Sequence, residues 1–286
     1  MEWINKLEES LAYIEEHLTE NIDYKKLGRI ANCSEYHYQR VFSYMVGVPL
    51  SEYIRRRRIS LAGVELQHGG KVIDVAVKYG YESPNSFTRA FKNIHGITPS
   101  QAQKEGVALK SYPRIKFQIS IKGDVEMEYR VETKSAFRII GAAIPMSKEI
   151  ETNFKEIPAF WAKTAKDGTL AKLFPVMNHE IEGVMGISAG FTKEEEKPTY
   201  YIAVTSDDPV PEGFSEYQID GYTWAIFSGS GPMPHSIQEL EKRIVTDWLP
   251  SSGYEYANGP DIELYLEPDP MKAVFEVWVP VVKSEG

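Results

Sequence analysis

Ser34-Glu35-Tyr36-His37-Tyr38-Gln39-Arg40-Val41-Phe42 is matched in pattern, 49 residues later, by Ser83-Pro84-Asn85-Ser86-Phe87-Thr88-Arg89-Ala90-Phe91. In both stretches apolar residues recur at i, i+3, i+4 and i+7: Tyr38, Val41, Phe42 and Met45 in the first, and Phe87, Ala90, Phe91 and Ile94 in the second. This spacing predicts two helices that each bury one stripe. The preceding serines are suited to cap the helix starts, and Gly47 and Gly96 are suited to end the helices.

The opposite faces of the two predicted helices carry hydrogen-bonding side chains and cations at matched positions. They are Tyr36, Gln39, Arg40 and Ser43 in the first helix, and Asn85, Thr88, Arg89 and Lys92 in the second. Side chains of these types recognise base edges in the major groove of DNA. With a shorter supporting helix before each, the pattern predicts a duplicated helix-turn-helix unit that binds double-stranded DNA.

Charge is distributed unevenly along the chain. The net charge of the 286 residues is −9, yet Asp23 to Lys104 holds 13 Lys and Arg against 6 Asp and Glu, while Val107 to Gly286 holds 18 against 28. A basic first part is suited to the phosphate backbone, and an acidic second part is suited to a cationic ligand. Length and a 42% hydrophobic content favour two domains.

Several classes of protein are disfavoured by the sequence. No apolar run approaches a membrane span, and the N-terminus lacks the features of a signal peptide, so we expect a cytoplasmic protein without membrane contact. The single Cys33 cannot form a disulfide within the chain. The histidines show no ligand spacing, and no Ser or Cys has a paired base. We therefore expect no metal, no cofactor and no catalytic residues.

A helix predicted between the two units carries the run Arg55-Arg56-Arg57-Arg58. These cations could contact phosphates or pair with carboxylates of the neighbouring helices, and the sequence leaves both open. Gly63 in the same helix costs about 1 kcal/mol relative to Ala, for which the sequence offers no reason.

After Gly106 the sequence alternates between apolar and polar residues, which predicts strands. We expect a strand or an ordered linker at 111–122, a solvated turn at 193–197, and helices at 154–166 and 236–249 among the strands. The predicted fold is therefore a multidomain one: an all-α N-terminal domain followed by an α+β domain of two pseudo-symmetric β–α–β–β halves with a groove between them. The predicted boundaries are 1–106, a linker at 107–124, and 125–286.

The first part resembles the AraC/XylS family of transcription regulators over about residues 5–105. The resemblance is carried by Ser34-x-x-x-Tyr38-Gln39-Arg40-x-Phe42 and Gly47-x-Pro49, and by Tyr79-Gly80-Tyr81-x-Ser83, Phe87-x-Arg89-Ala90-Phe91-Lys92 and Gly96-Ile97-Thr98-Pro99. It implies that Tyr36, Gln39 and Arg40, and also Pro84, Asn85, Ser86 and Arg89, face bases about one helical turn apart. Pro84, which lacks a donor, is better suited to begin its helix. We also expect RNA polymerase as a partner and a homodimeric state.

The second part resembles the gyrase-inhibitor-like effector domain over about residues 125–286. The carriers are Ala225-x-Phe227-x-Gly229-x-Gly231-Pro232, Trp248-Leu249-Pro250-x-Ser252-Gly253-Tyr254, Glu263-x-Tyr265-Leu266 and Glu276-x-Trp278-x-Pro280. It implies a sensor of a small molecule. Two alternatives remain open, because some relatives of this domain hydrolyse strained electrophiles and others bind a protein such as gyrase.

The candidate effector site combines carboxylates with aromatic residues. Its members are Glu263, Glu276, Trp161, Tyr201, Trp224 and Tyr265. Each Glu lies between apolar residues in a predicted strand, so it points either into the groove or to the solvated face. A carboxylate among aromatic rings is a site for a hydrophobic cation.

Overall fold

The computed structural model describes residues 2–117, 126–191, 197–267 and 269–284. The first of these ranges, here called the helical part, contains seven helices: α1 (Glu2–Glu16), α2 (Tyr24–Ile30), α3 (Glu35–Val46), α4 (Leu50–Gln67), α5 (Val72–Lys78), α6 (Pro84–His95) and α7 (Pro99–Ala102). Two helix-turn-helix units, α2–α3 and α5–α6, are joined by α4. The predicted duplication is confirmed in this arrangement.

The two predicted reading helices, α3 and α6, begin and end in the same way. The Ser34 side chain accepts a hydrogen bond from the backbone of His37, and Ser83 accepts one from Ser86. Gly47 and Gly96 end the helices with φ of 75° and 80°, a conformation that a side chain disfavours. Pro84 is the first residue of α6, where its missing N–H is not needed.

The remaining described residues, here called the sheet part, form two helices and nine strands. They are β1 (Tyr129–Lys134), β2 (Phe137–Pro145), α8 (Ile150–Lys166), β3 (Val184–Ala189), β4 (Thr199–Thr205), β5 (Ser215–Ile219), β6 (Tyr222–Gly231), α9 (His235–Arg243), β7 (Tyr254–Tyr256), β8 (Asp261–Glu267) and β9 (Ala273–Lys283). Two short 3₁₀ segments follow α8, and a π-helical turn at Ile244–Trp248 extends α9.

The sheet order is β1-β6-β9-β8-β3-β4-β2-β5, with β7 paired to β9, and the paired strands are antiparallel. Each half places its last two strands at the centre, and its first strand pairs with the other half. The predicted pseudo-symmetry is confirmed, with the two halves meeting between β8 and β3. Each half has one more leading strand than the predicted β–α–β–β unit, because β1 and β5 also join the sheet.

Some local predictions differ from the structure. Of the two alternatives predicted for 111–122, a strand or an ordered linker, residues 111–117 form no strand. The rest of that stretch lies outside the described residues, as does most of the turn predicted at 193–197. The short strand β7 was not predicted. Its three residues are too few to show an alternating pattern.

Hydrophobic side chains on the two faces of the sheet belong to different cores. Phe227, Phe275 and Val279 on one face share a buried cluster with Leu7 of α1 and Phe42 of α3. On the other face Trp224, Trp278, Tyr201 and Met185 form a second cluster. The helical and sheet parts therefore share one core, and α6 lies away from it in a third cluster with α4 and α5.

The segment after α7 packs along α4 before entering the sheet part. Tyr112 donates its backbone N–H to the Ser60 hydroxyl at 2.9 Å, and Lys110 donates to His95 at 3.2 Å. A Cβ on Gly63 would meet the side chain of Leu109 at 2.9 Å. An alanine here would therefore require the Leu109 side chain to move. Within the described ranges no helix combines the length and the apolar character needed to cross a membrane.

Candidate functional site

A cavity of about 840 Å³ lies between α8, α9, the central strands and one face of α3. Its walls are mostly apolar, with Ile157, Pro158, Leu170, Met177, Val184 and Leu266 among the lining residues. The lining also includes the carboxylate of Glu263 and the rings of Trp161, Tyr200 and Tyr265. Large apolar pockets with a few polar groups are the usual binding sites for small molecules.

Glu263 is half-buried in β8 and receives hydrogen bonds from two tyrosines. The Tyr265 hydroxyl donates to it at 2.8 Å, and Tyr200 is a second hydroxyl partner. Trp161 in turn donates its indole N–H to the Tyr200 oxygen at 2.8 Å. Burial raises the pKa of Glu263 above its ordinary value, although the Arg40 charge and the Tyr265 bond oppose this shift.

Gly186 of β3 provides the space for this network. It pairs with Glu263 across the β3–β8 ladder. A Cβ at Gly186 would meet the Tyr200 hydroxyl at 2.2 Å and the Glu263 carboxylate at 3.2 Å. A side chain here would therefore displace Tyr200, so the glycine shapes the polar end of the cavity.

The helical part contributes one wall of the cavity, which is formed by the polar face of α3. Arg40 forms an ion pair with Asp261 of β8 at 3.0 Å and another with Glu241 of α9, which also accepts a hydrogen bond from the Tyr44 hydroxyl. The side chains of Arg40, Glu241 and Asp261 are only 10%, 5% and 12% exposed. Burial acts to raise the pKa of Asp261, but the charges of Arg40 and His37 outweigh it and hold that pKa below its ordinary value.

The other predicted reading residues of α3 are also engaged. The Tyr36 ring stacks on Phe191, with 4.8 Å between centroids, and Gln39 donates to the backbone oxygen of Lys148 at 3.2 Å. Ser43 donates to the backbone oxygen of Gln39 within α3 itself. Tyr36 and Gln39 are 8% and 4% exposed. In this conformation the face of α3 predicted to read DNA is covered by the sheet part.

The equivalent face of α6 is open. Asn85, Ser86, Arg89 and Lys92 are exposed, and Thr88 is half-buried. The hydrogen bonds described for Ser86 stay within the helix start, where it bonds with Ser83. These five side chains keep the arrangement that the sequence predicts for contact with DNA, and their role there stays a prediction.

Three of the six predicted effector residues line the cavity, namely Glu263, Trp161 and Tyr265. Tyr201 and Trp224 lie in the core on the opposite face of the sheet. Glu276 also faces that side, where it forms a bidentate ion pair with Arg130 and accepts the indole N–H of Trp278 at 2.8 Å. Strand alternation explains why the two glutamates point to opposite faces of the sheet. Glu276 is opposite Leu264 in the ladder, whereas Glu263 is opposite Val277.

Among the residues that the sequence interpretation missed, Tyr44, Tyr200 and Glu241 line the cavity, and Asp261 pairs with Arg40 beside it. Two of them left a signal. Asp261, Glu263 and Tyr265 occupy alternate positions of β8 and so share a face. Tyr200 is one residue from the predicted Tyr201, and a shift of one residue in a strand exchanges its faces.

The arginine run on α4 is mostly paired within the helical part. Arg57 binds Glu15 and the backbone oxygen of Tyr112, while Arg58 donates to the backbone oxygens of Leu18 and Glu20. Arg55 and Arg56 pair with Glu52 on the same helix. Of the two interpretations left open, pairing within the protein accounts for these contacts. Among the residues described, no group of three acidic, His or Cys side chains is placed to hold a metal ion.

Two family models match the two parts of the chain. The model described as integron-associated effector binding protein matches residues 130–281, more than half of the chain. The model described as a helix-turn-helix domain matches residues 27–105. These ranges agree with the sheet part and with the two helix-turn-helix units.

Individual relatives follow the same division. The HTH-type transcriptional activator AarP of Providencia stuartii is 44% identical over 95 residues, which cover 33% of this chain and 70% of AarP. The right origin-binding protein of Escherichia coli K12 is 24% identical over 275 residues, covering 92% of this chain and 91% of that protein. The solved structure of SAV2435 bound to tetraphenylphosphonium is 21% identical, with a TM-score of 0.47, and covers 55% of this chain and 94% of its own. The chain therefore belongs to the AraC-type helix-turn-helix transcription regulators, and its sheet part belongs to the integron-associated effector binding protein family.

Proposed function

We propose that this regulator senses a hydrophobic cation that binds in the cavity, with Glu263 as its charge partner. The observation that carries the proposal is the position of the Glu263 carboxylate, half-buried at the wall of an otherwise mostly apolar cavity of about 840 Å³. A carboxylate that has lost part of its hydration gains from a cation that reaches it. Rings supply a matching surface for the apolar body of such a ligand.

The aromatic residues favour a cation over a neutral ligand. Trp161 and Tyr265 stand edge to face at 5.0 Å between ring centroids, beside Glu263. Aromatic faces attract cations, and they do so most strongly in a desolvated site. A delocalised or quaternary cation, which is weakly hydrated, would lose little on entering the cavity.

The second part of the proposal is the effect of the protein on transcription. We infer that the helix-turn-helix units bind operator DNA and that the protein acts on RNA polymerase. We propose activation rather than repression, because the relative AarP is named a transcriptional activator. We also propose the division into a DNA-binding domain at 1–106, a linker at 107–124 and an effector domain at 125–286. The shared core between the parts allows a ligand in one to act on the other.

A titration of the full-length protein with tetraphenylphosphonium, a lipophilic monovalent cation, tests the site. Glu263→Gln keeps the size of the side chain and removes its charge, so we expect affinity to fall more than about tenfold, which is about 1.4 kcal/mol. The matched control is Glu276→Gln, a carboxylate on the neighbouring strand that points to the opposite face. Its affinity should equal that of the wild type within about twofold.

Proton linkage provides an independent check on the same site. Because the pKa of Glu263 is raised, the carboxyl is neutral at a higher pH than an ordinary glutamate. Affinity for the cation should therefore increase as pH rises through that pKa, and Glu263→Gln should abolish the dependence. Equal affinity of the wild type and Glu263→Gln at all pH values would remove Glu263 from the proposed site.

A further inference from the structure

The predicted DNA-reading face of α3 forms part of the cavity wall. Of the described residues of the helical part, only Tyr36, Arg40 and Tyr44 line the cavity. All three project from successive turns of α3. A ligand in the cavity can therefore contact the reading helix directly.

Arg40 already supplies a positive charge to the acidic residues at this end of the cavity. Its guanidinium group is ion-paired with Asp261 and Glu241, and its charge also acts on Glu263. The chain thus places its own cation where the proposed ligand would bring another. Two like charges in a partly buried site repel each other more strongly than in water.

The same face of α3 cannot contact the sheet part and DNA together. Gln39 and Arg40 are 4% and 8% exposed, whereas base readout needs such side chains to enter the major groove. Release from the sheet part must therefore precede or accompany DNA reading by α3. No such step is needed for α6, whose polar face is exposed.

We propose that Arg40 acts as an internal competitor of the cationic effector, so that effector binding releases α3 from the sheet part and makes its polar face available to DNA. This inference rests on the proposed function of the cavity and adds its mode of regulation. Coupling between two sites is reciprocal. Docking of α3 on the sheet part therefore weakens effector binding, and effector binding weakens docking by the same factor. The cavity accordingly acts as a switch for one of the two reading helices.

Arg40→Gln and Arg89→Gln form a matched pair, since these arginines occupy equivalent positions 49 residues apart. In full-length protein, Arg40→Gln should bind tetraphenylphosphonium about tenfold more tightly than wild type, a factor typical of coupling between sites. Arg89→Gln should bind it like the wild type. An arginine that only stabilised the fold would leave the affinity unchanged or lower it. An arginine that repelled the cation from a fixed place in the wall would give the same gain in affinity, so the release of α3 needs a separate readout.

Hydrogen exchange of the wild-type protein supplies a second readout that needs no variant. Saturating tetraphenylphosphonium should make the amides of α3 exchange at least about threefold faster, because a helix released from its packing surface opens more often. The amides of α6 serve as the internal control and should not change. Slower or unchanged exchange in α3 would overturn the proposed release.

The outcomes separate the inference from the proposed function. If wild type binds the cation through Glu263, but Arg40→Gln binds it no more tightly, the competitor role is wrong and the cation site stands. If neither protein binds the cation, both the site and the competition are wrong. If Arg40→Gln binds more tightly and α3 exchanges faster with ligand, both are supported.

Discussion

The helices α3 and α6 are built alike and situated differently. Both start at a serine cap, end at a left-handed glycine and bury an aromatic stripe. Yet Arg40 is buried in ion pairs with the sheet part, while its counterpart Arg89 is exposed. The local sequence is sufficient for the helix and its apolar face. What covers the polar face is decided by residues far along the chain, such as Glu241, 197 residues after Tyr44, and Asp261, 221 residues after Arg40.

The largest expected effects concern the apolar face, which is buried in both helices. Phe42 and Phe91 are 1% and 0% exposed, at equivalent positions. Replacing either by Ala should lower the free energy of unfolding by about 3–5 kcal/mol, from lost burial and the remaining cavity. Chemical denaturation of both variants measures this. A cost below about 1 kcal/mol for either one would show that its helix is not anchored as described.

A second effect concerns the polar face, which is covered in α3 and exposed in α6. Without effector, Arg89→Ala should weaken binding to selected operator DNA by about 1–3 kcal/mol, the value of one good base contact. Arg40→Ala should not weaken it, because α3 is docked. Binding assays at fixed salt, with non-specific duplex as the control, measure both. Equal losses for the two variants would contradict the asymmetry.

Much of this organisation could be predicted from local patterns. Helix caps at Ser34 and Ser83 and the alternation along β8 and β9 are short-range signals, and they led to the correct elements. The choice of Glu263 also rested on the resemblance to the gyrase-inhibitor-like domain. Alternation shows which residues share a face of a strand, but it does not show which element or solvent that face contacts. Glu276, Tyr201 and Trp224 were misplaced for this reason.

The covering of α3 could not be predicted from any local pattern. Gln39 and Arg40 have the chemistry of base-reading residues, and the same chemistry suits a buried ion pair. Only the packing of α3 against α9 and β8 distinguishes the two uses, and that packing depends on contacts far apart in sequence. Arg89, with the same chemistry, has no element packed over it in the described residues.

A smaller effect should appear in the stability of the ligand-free protein. The raised pKa of Glu263 means that the folded state binds its proton more tightly than the unfolded state. This tighter proton binding stabilises the folded protein fully at pH values below the pKa that Glu263 has in the unfolded chain. The stabilisation is lost as the pH rises through the pKa that Glu263 has in the folded protein. Glu263→Gln should melt higher than wild type at neutral pH, and the difference should shrink on acidification. A difference independent of pH would contradict the assignment.

We propose that α3, unlike α6, is withheld from DNA until a cation enters the cavity. The most direct measurement is a footprint on a duplex selected by the protein from a random pool with tetraphenylphosphonium present. Without the cation, protection should cover one major-groove segment, contacted by α6. With the cation, it should extend by about one helical turn, as the second reading helix engages. Full protection of both segments without the cation would contradict the claim.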